Sequence, residues 1–312
     1  MRSHMTIAAP IRRAIPADAT VSRWAAPDGW QLRRFDWPGS GRGGILFQGG
    51  RGDVFEKYLE AFGHWHAAGW TVTAFDWRGQ GGSGRLSPDP HVGHADDFAP
   101  WIADLAAVWE SWEVSGPRVA MGHSMGGHLL LRALLEQAID PQAAVLIAPM
   151  LGLRSPIGPA LGERLARFMR NRGDPARPAW KGHERPGARL DRQKLLTNDA
   201  SRYADEQWWY EQEPDIKLGP PSWAWLAEAF ASTRIQRDDP RLASLTTPLL
   251  MLVADSDGLV DARAAVALAG RLPNAELIRF GHEAAHEILR EADPVRDRAL
   301  AAIDAFLTTH AS

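Results

Sequence analysis

Residues 122–126 read Gly-His-Ser-Met-Gly, between an apolar run, PRVAMGH at 117–123, and a helix-forming one, MGGHLLLRALLEQA at 125–138. A G-x-S-x-G between a strand and a helix demands a very tight turn. The serine takes a strained backbone, and the positions two before and two after it must be nearly free of side chain. Gly122 and Gly126 meet that demand, and Gly127 eases the packing further. Such a turn lifts the Ser124 hydroxyl clear of the sheet, at a helix N-terminus where backbone N–H groups await negative charge. The bland alternative is an ordinary glycine turn, but the strand-to-helix setting favours a nucleophile.

The rest of the chain repeats this strand-then-helix rhythm. GILFQ (44–48), WTVTAFD (70–76), AAVLIAP (143–149), PLLMLVA (248–254) and AELIRF (275–280) read as buried strands. Phe55, Tyr58, Leu59, Phe62 and Trp65 recur at helical spacing before Gly69, as do Phe98, Ile102, Leu105, Val108 and Trp112. Asp53 with Glu56 three residues later reads as a capping box. Two alternating runs around Pro27-Asp28-Gly29 predict a leading antiparallel hairpin. The expectation is an α/β fold: a mostly parallel central sheet of about eight strands, with helices on both faces. From 152 to 240 the strand signal vanishes and Pro, Arg, Gly and Trp accumulate, so 21–151 and 241–312 read as the core, 152–240 as an inserted helical cap and 1–20 as an N-terminal segment. Met1-Arg2-Ser3-His4 reads as a tag remnant, with Met5 the natural start.

Composition narrows the chemistry. The 312 residues contain no cysteine, which removes disulfides, a thiol nucleophile and thiolate metal sites and fits a reducing compartment. A net charge of −3 gives no footprint for nucleic acid. No apolar run reaches the ~18–20 residues of a membrane span, and no signal-peptide pattern opens the chain, so the expected location is cytoplasmic. Nothing calls for a cofactor.

A serine hydroxyl needs a base, itself oriented by a carboxylate. In this topology the order should be Ser, then Asp or Glu, then His, on loops after late strands. PLLMLVA is followed by Asp255-Ser256-Asp257, and AELIRF by Gly281-His282-Glu283-Ala284-Ala285-His286. Residues 282–286 also spell H-E-x-x-H, by which a helix can offer two histidines to zinc, so a metallopeptidase stands as a rival reading. A zinc site would also need a third ligand and a long helix, and no metal site is expected.

GHSMGG, DWRGQGGSGR (76–85), VADSDGLVD (253–261) and HEILRE (286–291) together resemble the α/β-hydrolase superfamily, and within it the monoacylglycerol lipase and bacterial lysophospholipase branch. The resemblance covers most of the chain outside the cap. It implies Asp257 as the acid, with Asp255 where glycine is usual, and His286 rather than His282 as the base. Of the oxyanion donors, Met125 N–H follows from the turn itself. The second is implied to be Gly50, in Gln48-Gly49-Gly50-Arg51-Gly52, where Gln48 replaces the usual histidine. Asp76 and Arg78 are implied to hold loops together, while His123 and His128 read as packing. Relatives with an aspartate nucleophile are excluded by Ser124.

Trp208, Trp209, Trp223 and Trp225, with Leu226 and Phe230, can line an acyl slot or simply cement the cap to the core. Arg164, Arg167, Arg170, Arg172, Arg177, Arg185, Arg189, Arg192 and Lys194 outnumber Asp174, Glu184 and Asp191. Such a run is a solvated face or a docking face for anionic membrane. The reading is a serine hydrolase that cleaves a small-molecule ester or lysolipid, a lysophospholipid or monoacylglycerol by resemblance, through an acyl-enzyme. Rivals are an aminopeptidase gripping its substrate amine with Glu206, Glu211 or Glu213, the zinc enzyme, and a non-catalytic binding protein.

Overall fold

The computed structural model describes residues 9–180 and 192–312, so the opening residues 1–4 and, within the basic run, Glu184, Arg185, Arg189 and Asp191 lie outside it. Eight strands form: β1 (Thr20–Ala25), β2 (Gln31–Trp37), β3 (Gly43–Gln48), β4 (Trp70–Phe75), β5 (Arg118–His123), β6 (Ala143–Ile147), β7 (Leu249–Ala254) and β8 (Ala275–Phe280). They make one sheet in the order β1-β2-β4-β3-β5-β6-β7-β8. The predicted hairpin pairs β1 with β2, and β2 runs antiparallel to β4. Every later pairing is parallel.

Alternation within the strands supplies two apolar faces. Ile45, Phe47, Val119 and Met121 pack with Leu59, Phe62 and Trp65 of α1 (Leu59–Ala67) and with Ile303 and Phe306 of the C-terminal helix. Leu46, Ala120 and Leu146 point the other way, onto α2 (Ala99–Ser111) and α3 (Met125–Leu135) through Leu105, Val108, Leu129 and Leu130. Chain order reverses around β3, which lies between β4 and β5. A crevice therefore opens at the C-terminal ends of β3 and β5, where open α/β sheets bind ligands.

Between β6 and β7 the described residues hold four helices and no strand: α4 (Pro159–Arg170), α5 (Arg192–Leu196), α6 (Ala200–Gln212) and α7 (Trp223–Asp238). After them come α8 (Ala262–Ala269) and α9 (Asp293–His310). No helix among the described residues is long and apolar enough to cross a membrane.

One reading near α1 changes. Asp53 and Glu56 do not form a capping box, because a 3-10 turn at Phe55–Tyr58 precedes α1 and each carboxylate has a stronger partner elsewhere. Glu56 ion-pairs with Arg33 of β2, and its burial beside Asp76 still pushes it up to about 7. Asp53 joins a buried charge cluster around Lys57, whose ammonium meets Asp53 at 2.5 Å, Glu287 at 2.6 Å and Glu206 of α6 at 3.2 Å. Glu206 also receives Arg192 at 2.7 Å and Arg290 at 3.1 Å. Three cations face three carboxylates, and they tie α5 and α6 to the loops at the crevice. Burial alone would push Glu206 up, but Lys57, Arg192 and Arg290 overcome it and hold it well below the glutamate range. Asp53 and Glu287 are likewise lowered, against burial, by Lys57 with His123 and by Arg290 with Lys57 respectively.

Removing one partner of a buried cluster leaves an uncompensated charge, so Lys57→Met should cost roughly 3–5 kcal/mol, measured by denaturant unfolding. The carboxylates are depressed in the folded chain. Their contribution is therefore full above about pH 5 and lost as pH falls below about 4, and acid titration of unfolding should show it. A variant as stable as the wild type contradicts this account of the cluster.

Candidate active site

Ser124 follows β5 with φ 53° and ψ −117°, a left-handed backbone that costs a non-glycine residue about 1–3 kcal/mol. Its surroundings enforce it. Ser124 N–H donates to Ile147 O at 2.9 Å, while its carbonyl accepts from Met150 N–H at 2.9 Å and His128 N–H at 3.1 Å. A Cβ on Gly122 would stand 2.6 Å from Gly126 O, and one on Gly126 would stand 2.4 Å from Gln48 O. Both glycines are needed for α3 to start so close to β3.

His286 and Asp257 arrive from the loops after β8 and β7. His286 Nε2 lies 2.8 Å from Ser124 Oγ, and Nδ1 lies 2.6 Å from Asp257 Oδ2. The other oxygen, Oδ1, accepts Leu259 N–H at 2.7 Å and Val260 N–H at 3.0 Å, which leaves Oδ2 to the imidazole. Burial disfavours the His286 cation, but Asp257 outweighs it by charge and hydrogen bond, and the imidazole pKa rises above its ordinary value. Asp255 points outward and pairs with Arg279 at 2.9 Å. His286 is fixed by its neighbours, since Glu287 N–H donates to Leu196 O at 2.7 Å and Glu287 itself sits in the Lys57 cluster.

The H-E-x-x-H reading fails on backbone geometry. Residues 281–287 are turns and irregular chain, with His282 exposed and His286 buried, so the two imidazoles share no helix face. Among the described residues no three His, Cys, Asp or Glu side chains gather as metal ligands.

Met125 opens α3, where first-turn N–H groups lack an intrahelical partner, so its amide is available beside Ser124 Oγ. Gly50 also lies against the nucleophile: a Cβ there would be 2.9 Å from Ser124 Cβ. Its N–H, however, already donates to Asp53 Oδ2 at 2.7 Å. To act as an oxyanion donor Gly50 must share that hydrogen or be released by Asp53. Gln48 is buried with neither side-chain amide atom bonded to the described residues.

The flanking histidines differ. His128 is buried, and burial pushes its imidazole down to about 3, so it packs as the neutral form against Ser232 Oγ at 2.8 Å. His123 does more than pack. Its Nδ1 lies 2.8 Å from Tyr58 Oη and 3.0 Å from Asp53 Oδ2, and its Nε2 lies 3.3 Å from the His286 carbonyl oxygen.

The cleft over Ser124 is lined on its apolar side by Met150, Leu153, Trp180, Leu196, Trp225 and Leu226. Of the four tryptophans expected there, Trp225 alone is present. Trp209 donates its indole N–H to Arg12 O at 2.8 Å, with Trp208 edge-on to it at 4.9 Å, because α6 turns that face toward the N-terminal segment. Trp223 and Phe230 pack with Ala166 between α4 and α7. Met150, Leu153, Trp180 and Leu196 are among the lining residues missed, since none stands in a periodic pattern that marks a cleft. Asp76 and Arg78 bind loops as implied, through Gly82 N–H at 2.8 Å and through Asp104 and Asp28, both at 2.6 Å.

With this geometry in place, comparison is informative. The serine aminopeptidase S33 family profile matches residues 23–293. Lysophospholipase L2 of Escherichia coli (strain K12) is 33% identical over 254 residues, 74% of this chain and 70% of that protein. Probable lysophospholipase L2 of Haemophilus influenzae is 27% identical over 225 residues, 70% of this chain and 69% of that one. Among solved structures, a soluble variant of monoglyceride lipase from Saccharomyces cerevisiae has a TM-score of 0.74 at 18% identity, covering 97% of this chain and 98% of its own. Monoacylglycerol lipase of Paleococcus ferrophilus has a TM-score of 0.70 at 21% identity, covering 90% and 99%.

A base with a raised pKa loses its neutral form at a higher pH. For a chromogenic ester, kcat/KM should therefore fall on the acid side with a midpoint above ~6.5. Asp257→Asn should move that midpoint down and lower kcat by roughly 10³–10⁴-fold. An unmoved midpoint would separate Asp257 from the base.

Proposed function

We propose the following for this chain, which belongs to the serine aminopeptidase S33 family of α/β-hydrolases: it hydrolyses the carboxylic ester of a single-chain glycerolipid, a lysophospholipid or a monoacylglycerol, through an acyl-enzyme on Ser124. The chain is a serine ester hydrolase of the lysophospholipase and monoacylglycerol lipase type, and the observation that carries the assignment of residues is the hydrogen-bonded line Asp257–His286–Ser124 at the cleft floor.

His286 Nε2 takes the Ser124 proton as Oγ adds to the ester carbonyl, and the carbonyl π electrons move onto oxygen. Asp257 holds the tautomer and stabilises the imidazolium. Met125 N–H, and Gly50 N–H once shared by Asp53, stabilise the oxyanion, a contribution of about 3–4 kcal/mol per donor in comparable sites. As the tetrahedral intermediate collapses, the His286 proton passes to the departing glycerol oxygen. Water then adds to the acyl-enzyme with the same histidine as base, releasing the fatty acid and restoring Ser124.

An amine-gripping aminopeptidase is disfavoured by the carboxylates. Glu206 is committed to Lys57, Arg192 and Arg290, and Glu211 and Glu213 are exposed outside the cleft. The described residues of 152–240 act as the lid, since α5 and α7 line the cleft with Leu196, Trp225 and Leu226.

The same lid meets the lipid surface. On α4, Leu161, Leu165 and Phe168 recur along one face and are 55%, 45% and 54% exposed, with the exposed Arg164, Arg167 and Arg172 close by. An apolar stripe edged by arginines suits an anionic membrane, each basic residue near the surface adding ~1 kcal/mol. We assign this contact to the cytoplasmic leaflet, whose anionic lipids supply the negative surface the arginines require.

Against a panel of lysophospholipid, monoacylglycerol and peptide, the wild type should hydrolyse the esters, and Ser124→Ala should lose roughly 10⁴–10⁶-fold in kcat. Peptide turnover without ester turnover would restore the aminopeptidase. In vesicle co-sedimentation, binding should rise with phosphatidylglycerol content and fall in Phe168→Asp. Binding indifferent to both removes the docking face.

A further inference from the structure

The cleft holds a guanidinium that the proton relay does not use. Arg51 follows Gly50 in the loop after β3 and lines the cleft beside Ser124. Its Nη1 donates to Gly219 O at 2.9 Å, and its guanidinium carbon lies 5.5 Å from the centre of the Trp225 ring. Those contacts hold the group in place, yet Nε and Nη2 make no hydrogen bond to the described residues, and no carboxylate among them forms an ion pair with it. The neighbouring cations differ. Arg192 is taken by Glu206 at 2.7 Å, and Lys57 by three carboxylates. Burial, then repulsion from Arg192, lowers Arg51 to about 10 against the attraction of Asp53, so it stays charged at neutral pH. A partly buried cation without an ion-pair partner is costly, and an arriving anion relieves that cost.

Nε and Nη2 lie on one edge of the guanidinium, the edge that engages phosphate with two parallel N–H···O bonds. Location fits as well. Gly50 lies against Ser124, and the next side chain, Arg51, lies in the same cleft against Gly219 O and the Trp225 ring. In a lysophospholipid the phosphodiester lies one glycerol unit from the acyl ester. Resting on the ester-hydrolase reading above, we propose that Arg51 is the specificity residue of the cleft, pairing with the phosphodiester of a lysophospholipid whose acyl ester lies on Ser124. A monoacylglycerol offers only a neutral hydroxyl there and leaves the guanidinium unpaired.

The test compares kcat/KM for palmitoyl-lysophosphatidylcholine and monopalmitoylglycerol in matched neutral detergent micelles. Because the ratio is taken within one protein preparation, partial misfolding cancels. Arg51→Gln should lower the lysophospholipid-to-monoacylglycerol ratio roughly 10–100-fold, as expected for losing hydrogen bonds between charged groups. Arg51→Lys, which keeps the charge but not the fork, should recover part of it. The proposal is overturned if Arg51→Gln leaves the ratio unchanged, whether both substrates fall together or neither does. A wild type that hydrolyses neither ester overturns the functional reading beneath it, an outcome distinct from an unchanged ratio.

Discussion

Nothing larger than a hydrogen fits on Gly122 or Gly126. With Cβ positions 2.6 Å and 2.4 Å from facing backbone oxygens, α3 can begin where it does only because both side chains are missing. That closeness forces Ser124 to φ 53°, and the strain is held by hydrogen bonds from two neighbouring segments. The serine stands at the end of β5, where the strand order reverses and a crevice is unavoidable. Parallel strands also carry the loops after β7 and β8 to the same rim, so Asp257 and His286 converge although the chain separates each of them widely from Ser124. Ser124 directly ends the buried strand β5, while Asp257 and His286 stand on loops that follow β7 and the edge strand β8.

A second constraint is electrostatic. Five buried charged groups and the half-buried Arg192 lie between the lid and the crevice loops, and they balance only as a set: Lys57, Arg192 and Arg290 against Asp53, Glu206 and Glu287. Such clusters add little net stability compared with apolar packing. They do fix geometry, because any displacement strands a charge. Here the cluster touches the Gly50 amide through Asp53 and the His286 backbone through Glu287, so lid position and oxyanion loop are mechanically connected. Arg51 lies in the same cleft and feels this cluster, repelled by Arg192 and attracted by Asp53, yet it has no ion-pair partner among the described residues, which suits it to recognise an anion.

Much of this was legible in the sequence. Alternating apolar runs reported the strands, Pro27-Asp28-Gly29 the hairpin, and the glycines around Ser124 the nucleophile turn, because each is a local pattern with a local cause. His282 and His286 share one loop, and residue spacing alone left both open; resemblance to HEILRE favoured the second, which is the one the fold brings to Ser124. What sequence could not supply was the identity of distant partners. Trp208 and Trp209 read from composition as cleft or cement residues, but nothing local shows that the N-terminal segment covers Trp209. Glu56 fits a capping pattern three residues from Asp53, yet Arg33 on a neighbouring strand claims it. A lone arginine after two glycines has no periodicity at all, and its exposure to the cleft appears only in three dimensions.

The account turns on Ser124 being made nucleophilic by His286, and covalent trapping tests this most directly. A serine-directed phosphonate, followed by intact-mass and peptide mapping, should give a single adduct on Ser124. In His286→Ala the labelling rate should drop about a hundredfold or more, the usual contribution of a positioned base. An adduct on a different residue, or undiminished labelling without the imidazole, would contradict it.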